Sequence, residues 1–126
     1  MITDKVKELV ATYIQGIINS GDIGLGGNST SPIATGLDVP LGLSITPSVV
    51  KSADNVLEVK LSIAGSTSAL SGKVVREAGI FNSSNLLIRN NFTGIGPFSS
   101  SETLEIFFIL EVEWYGNRNK PVLLCN

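Results

Sequence analysis

The sequence predicts a mainly β protein: an antiparallel β-sandwich preceded by an amphipathic helix and an extended Gly/Ser/Pro-rich arm. Three observations predict it. From residue 55 onward, apolar residues recur at every second position in runs of strand length. Short clusters of Gly, Ser, Asn and Pro separate those runs, as in antiparallel hairpins. One segment alone, near the N-terminus, has helical periodicity. One helix followed by about six strands fits a sandwich with a helix and arm added at its front. The expected organisation is a helix over 1–20, an arm over 21–42 and a sandwich over 43–126, a single domain overall. A chain of 126 residues is long enough for one real core and short for two.

The helix spans about residues 3–19. Val6, Leu9, Val10, Tyr13, Ile14 and Ile17 follow the i, i+3, i+4, i+7 spacing of one helical face. Charged and polar residues fill the opposite side. Thr3 is the expected N-cap, and Asn19-Ser20-Gly21 supply the stop. A helix with one apolar stripe must lie on something, here a sheet or a neighbouring subunit. Val6, Leu9, Tyr13 and Ile17 are therefore candidate interface residues.

The arm carries Gly at 21, 24, 26, 27, 36 and 42, with Pro32 and Pro40 as further breaks. Irregular connections of this length are uncommon in compact domains unless functional or disordered. Ile23, Leu25, Ile33, Leu37 and Val39 argue against a solvated linker. The arm is expected to be ordered and to pack on its own sheet or on another subunit, with Leu25 and Leu37 as candidate contacts.

Strands follow. Residues 43–51 are the first, with Pro47 marking an edge or bulge. In residues 55–66, Leu57, Val59, Leu61 and Ile63 alternate with polar residues. A Ser-rich turn covers 65–72. Residues 74–81 and 86–93 form a hairpin around Asn82-Ser83-Ser84-Asn85, and 94–101 is a Gly/Pro/Ser loop. Residues 103–115 are the longest strand. Leu104, Ile106, Phe108, Leu110, Val112 and Trp114 share one face. On the other face, Phe107 and Ile109 interrupt Thr103, Glu105, Glu111 and Glu113, which marks them as a second contact surface. Residues 116–120 turn the chain into a last strand over 121–125.

Composition narrows the function. Charged residues are 16% and hydrophobic residues 43%, with a mean hydropathy of +0.31; roughly 25% charge is ordinary. A chain so poor in charge either buries more than usual or has its surface covered by partners, as in an obligate oligomer. Net charge is −2 and no basic run exists, so the footprint of a nucleic-acid binder is missing. With no His and one Cys, zinc and iron–sulfur sites lack ligands, and no metal or cofactor is expected. Cys125 reads as a free thiol, with an intermolecular bridge as the alternative. The N-terminus mixes charge with apolar residues, unlike a signal peptide, and no run approaches the ~20 apolar residues of a membrane span.

Catalytic constellations are poorly matched. Gly24-Leu25-Gly26 lacks the third glycine of a dinucleotide loop and follows a helix, where that motif follows a strand. Without His, a Ser or Cys nucleophile has only Lys, Asp or Glu as a base, and the serines lie in turn-like contexts. Glu111 and Glu113 share a polar strand face, the usual place of solvated carboxylates. Asn28-Ser29-Thr30, Asn82-Ser83-Ser84 and Asn91-Phe92-Thr93 match the glycosylation pattern, as expected by chance in an Asn/Ser-rich chain. The protein is not expected to be an enzyme.

Residues 74–85, VVREAGIFNSSN, pose a sharper question. In a strand, Val75, Glu77, Gly79 and Phe81 share one face and Val74, Arg76, Ala78 and Ile80 the other. Each apolar face carries one charge. One answer is that Glu77 faces inward or into a subunit seam. There it accepts backbone N–H groups of the arm or pairs with Arg89 or Arg76, and Gly79 leaves room for that backbone. The alternative is an exposed Arg76/Glu77 pair, worth about 0–1 kcal/mol.

Arg76-Glu77-Ala78-Gly79-Ile80-Phe81, a short polar turn and Asn85-Leu86-Leu87-Ile88 together resemble a segment of the N-terminal domains of tail-collar fibre proteins of tailed bacteriophages. Thr35-Gly36-Leu37, upstream in the arm, is similar to that family's element before its first strand. The resemblance covers roughly residues 24–114, with the REAGIF core its most specific part. The family's Tyr-Lys-Pro-like segment after the hairpin is not evident, and residues 1–126 are expected to hold no fibre shaft. The resemblance implies a non-enzymatic virion protein that self-associates, with a trimer the best guess, and docks on other virion proteins of tail, collar or baseplate. Capsid decoration is the alternative, and a small host-binding β-sandwich module a further one. The implied location is the virion, without nucleic-acid or membrane partners.

Overall fold

The computed structural model describes residues 2–27, 35–115 and 120–125, with the backbone path alone for 114–115 and 120–125. The Asn28-Ser29-Thr30 pattern, Pro32, Ile33, the expected turn at 116–119 and the side chains of Trp114 and Cys125 lie outside the described residues. In order come α1 (Asp4–Ile17), β1 (Ser20–Gly24), β2 (Ser48–Ala53), β3 (Val56–Ala64), a 3-10 turn (Ser68–Leu70), β4 (Val75–Asn82), β5 (Asn85–Ile95), β6 (Thr103–Tyr115) and β7 (Lys120–Cys125). The fold is mainly β, with two antiparallel sheets of order β1-β4-β5 and β2-β3-β6-β7.

The chain divides into two compact units. The first comprises Met1–Ile18, Ser48–Lys60 and Phe107–Asn126; the second comprises Asn19–Pro47 and Leu61–Ile106. Two strand boundaries differ from the sequence reading. The segment expected to be wholly irregular opens with β1, and the strand expected over 43–51 begins only at Ser48. Residues 43–47 instead contribute a single bridge, Ile45 to Gly21. Pro40 and Pro47 lack the N–H groups a continuous ladder needs, so this part of the chain runs beside β1 without becoming a strand.

In the first unit, α1 packs against β2. The core comprises Ala11, Ile18, Leu57, Val59, Phe108, Leu110 and Val112, all buried. Their alternation along β3 and β6 is the period-2 pattern of the sequence. Each fully buried aliphatic or aromatic side chain contributes about 1.5–3 kcal/mol. Asn55 ties β3 to β6: its Nδ2 donates to the Val112 carbonyl at 2.9 Å, and its carbonyl accepts the Val112 N–H at 2.9 Å.

The helix is turned relative to its apolar stripe. Val6, Leu9 and Tyr13 are exposed, Tyr13 by 69%, whereas Ala11 is buried and Lys7, Val10 and Ile14 are half-buried. Polar anchors explain the rotation. Lys7 Nζ lies 3.2 Å from Asp4 and 3.3 Å from Glu113 of β6, and Lys51 Nζ of β2 donates to Thr12 Oγ1 at 2.8 Å. The hydrogen bond with Asp4 holds the Lys7 pKa above its ordinary value, and Glu113 adds to this. Ala11, small enough to allow close approach, sits between these anchors. Thr3 occupies the N-cap position but makes no side-chain bond to the helix; its carbonyl accepts the Val6 N–H instead.

The second unit contains all of the three-stranded sheet and the ends of β3 and β6. Asn19 marks its start. The Asn19 N–H donates to the Phe81 carbonyl at 3.1 Å, and Asn19 Oδ1 accepts the Ser83 N–H at 2.7 Å. Ser83 takes a positive φ of 54° in that turn. Within this unit β1 faces the Leu61 end of β3, since a Cβ at Gly21 would collide with the Leu61 side chain. Ile23, Leu61, Ile63, Leu70, Val75, Ala78, Ile80 and Leu104 are buried. The loop after β5 is closed at Glu102, which accepts the Ser99 N–H at 2.7 Å. That bond holds the Glu102 carboxyl below its ordinary pKa.

Candidate functional site: a carboxylate clamp on the arm

The three-stranded sheet has one face toward Leu61 and another toward the arm. Register places Asp22 of β1 opposite Gly79 of β4, Gly24 opposite Glu77, Gly79 opposite Arg89 of β5, and Glu77 opposite Asn91. Because paired residues point to the same face, Asp22, Gly24, Glu77, Gly79, Arg89 and Asn91 form one surface. The arm lies on this surface. It also runs back along β1: Leu25 N–H bonds Val39 O, Leu41 N–H bonds Ile23 O, and Gly21 and Ile45 exchange both bonds, all at 2.8–2.9 Å. One edge of the sheet is thereby covered by its own chain.

Glu77 is fully buried and is the one buried charged residue among the described residues. Its Oε2 accepts the N–H groups of Gly26 at 2.9 Å and Val39 at 2.8 Å, and its Oε1 accepts that of Asp38 at 2.8 Å. Arg89 supplies the countercharge, with Nη2 3.5 Å from Glu77 Oε1 and 2.8 Å from Asp38 Oδ2. Its Nη1 donates to the Gly36 carbonyl at 3.2 Å. Both ends of the arm thus converge on one carboxylate. A second carboxylate repeats the device: Asp22 accepts the N–H groups of Leu43 at 2.9 Å and Gly42 at 3.1 Å, together with its neighbour Ile23 at 2.8 Å.

The glycines of the arm take their role from this clamp. A Cβ on Gly24 would stand 2.5 Å from both Glu77 Oε2 and the Val39 carbonyl oxygen. One on Gly26 would stand 2.5 Å from the Asp38 Cβ and 2.9 Å from Glu77 Oε2. Successive backbone N–H groups presented by a glycine-rich stretch make an anion-binding concavity, and the anion held here is the protein's own glutamate. That an inward-facing Glu77 accepts N–H groups of the arm and pairs with Arg89 agrees with the first of the two readings of this strand; the part Gly24 and Gly26 play in it was not anticipated. The signal available was a buried-looking Glu with no equally buried partner beside it.

The remaining site residues fall as follows. Arg76 is exposed, on the opposite face from Glu77, and it is Arg89 that pairs with the carboxylate. Gly79 does not make room for backbone, as expected; it makes room for side chains. A Cβ there would lie 3.0–3.1 Å from Phe81, Leu37 and Leu86, three apolar groups converging over the glycine. Leu37, expected at an interface, is buried against its own sheet, and Leu25 is half-buried. Val6, Leu9 and Tyr13 are exposed and Ile17 half-buried. Phe107 and Ile109 are exposed, Phe107 by 58%.

The arrangement is a fastening that orders the arm. Among the described residues no group of three or more His, Cys, Asp or Glu could hold a metal ion. No helix is long and apolar enough to cross a membrane. Comparison of the chain with protein-family models, with curated proteins and with solved structures gives no significant match.

Proposed function

We propose that the chain is a non-enzymatic structural protein of a tailed-bacteriophage virion, which associates with its own copies and docks on other virion proteins. Within the virion the favoured place is a tail, collar, baseplate or fibre-attachment site, with capsid decoration as the alternative. The observation that carries the self-association is the set of large apolar side chains left in solvent by a charge-poor chain. In the first unit these include Leu9 and Tyr13 on α1, Val50 on β2, and Phe107 and Ile109 on β6. Scattered exposed apolar residues are ordinary, but several on one small unit mark an interaction surface. The virion setting rests on the resemblance of residues 76–88 to tail-collar fibre domains. The buried Glu77 gives that segment a physical role as the fastening of an arm.

Sedimentation of the purified protein tests the reading. A homo-oligomer, with three copies as the leading expectation, is the predicted outcome, and Phe107→Asp should weaken association far more than folding, because a charge in a desolvated contact lacks a partner. A stable monomer at micromolar concentration, or a Phe107→Asp variant that assembles normally, would overturn it.

A further inference from the structure

Beside the clamp, the second unit has a cleft of about 380 Å³. Its walls are β1, the returning arm and the β4–β5 turn. Leu37, Pro40 and Phe81 give it an apolar side; Ser20, Ser44, Ser83 and Ser84 bring hydroxyl groups to it. Among the described residues of its lining, Asp22 is the only one with an ionisable side chain.

We propose that this cleft binds a small neutral saccharide. The volume lies in the range of small-molecule sites, which combine apolar walls with a few placed polar groups. The lining then selects the class of ligand. The Asp22 carboxylate disfavours an anion. A divalent cation needs about six oxygen ligands including further carboxylates, and here one carboxylate is already engaged by three N–H groups. A purely apolar ligand would strip water from Asp22 and the serines without replacing its hydrogen bonds. A sugar meets each condition. Its C–H face matches Leu37, Pro40 and Phe81, and its hydroxyls both donate and accept. Asp22 Oδ2 accepts a single described N–H, from Gly42, so it keeps capacity for a ligand hydroxyl. Among the described residues, the hydroxyls of Ser20, Ser44, Ser83 and Ser84 have no protein hydrogen-bond partner. The walls are also fixed in place. Asp22 holds the arm at Gly42 and Leu43, and Asn19 holds the turn at Ser83.

The experiment is an NMR titration of the full chain with D-glucose, D-galactose, N-acetyl-D-glucosamine and lactose. D-Glucuronate and cyclohexanol serve as the anionic and apolar comparisons. At least one neutral sugar should bind with a Kd on the order of 1 mM, moving the amide signals of Ser20, Asp22, Ser44 and Ser84. Ser44→Phe and Ser84→Phe, which fill the cleft from two separate segments, should each weaken that binding at least about tenfold with little change in melting temperature. The two variants are independent, so one reports if the other fails to fold. Absence of binding by every neutral sugar, unchanged binding in both filled variants, or tighter binding of glucuronate or cyclohexanol would each overturn the proposal. None of these outcomes depends on the oligomeric state, so the virion reading is tested separately.

Discussion

Strand β4 and helix α1 invert each other. β4 buries a carboxylate completely, and α1 leaves half of its apolar stripe, Val6, Leu9 and Tyr13, exposed. The difference shows that at these two elements the partners of backbone and charged groups modify a pattern of burial that hydrophobicity sets elsewhere. At β4, three arm N–H groups and Arg89 converge on Glu77, so the charge is buried without being left unpaired. At α1, ion pairs and hydrogen bonds through Lys7 and Thr12 set the rotation. Ala11, the smallest apolar residue of that region, takes the buried place.

The largest expected effect tests the β4 half of this comparison. Glu77→Ala removes the acceptor of three buried N–H groups and the partner of Arg89, so stability should fall by about 3–5 kcal/mol. Equilibrium denaturation in urea measures it. A loss below about 1 kcal/mol would make the buried carboxylate no more than a surface pair and erase the contrast with α1. Next in size is Gly24→Ala. The added methyl meets the Val39 carbonyl and Glu77, and displacing the arm should cost about 1–3 kcal/mol. Hydrogen exchange should then show faster exchange at the Gly26, Asp38 and Val39 amides while those of β5 stay protected. The smallest effect belongs to the helix. In the dissociated protomer, Leu9→Ser with Tyr13→Ser should change stability by less than about 0.5 kcal/mol per site, since both side chains are exposed there. A fall of several kcal/mol on thermal denaturation would show that the stripe is covered within the protomer.

Strands were legible wherever one face is buried and the other wet. β6 is found at the predicted bounds, and β3, β4 and β5 within about two residues, the usual ambiguity of strand ends. β1 was not legible. Its five residues, Ser-Gly-Asp-Ile-Gly, contain one large apolar side chain, and the strand exists because β4 pairs with one edge and the arm covers the other. The helix was legible in extent but not in orientation, because its rotation depends on Glu113 and Lys51, which are remote in sequence. Of the clamp, Glu77, Gly79 and Arg89 could be singled out from the oddity of a charge inside an apolar strand. Asp22, Gly24 and Gly26 could not be, since the donors that engage the carboxylates are main-chain groups and leave no side-chain pattern.

That last property has an evolutionary consequence. A carboxylate that grips main-chain N–H groups is indifferent to the side chains attached to them wherever a Cβ fits, which leaves out Gly24 and Gly26. The arm is therefore free to diverge at most positions without loosening, and whatever its outward side chains contact can be retuned while the fastening stays constant. The remaining exceptions follow from covalent chemistry. Proline has no N–H to offer, so it is excluded at positions 26, 38, 39, 42 and 43, whose N–H groups the two carboxylates hold. Of the arm's two prolines, Pro40 falls in the gap between the two sets of donors.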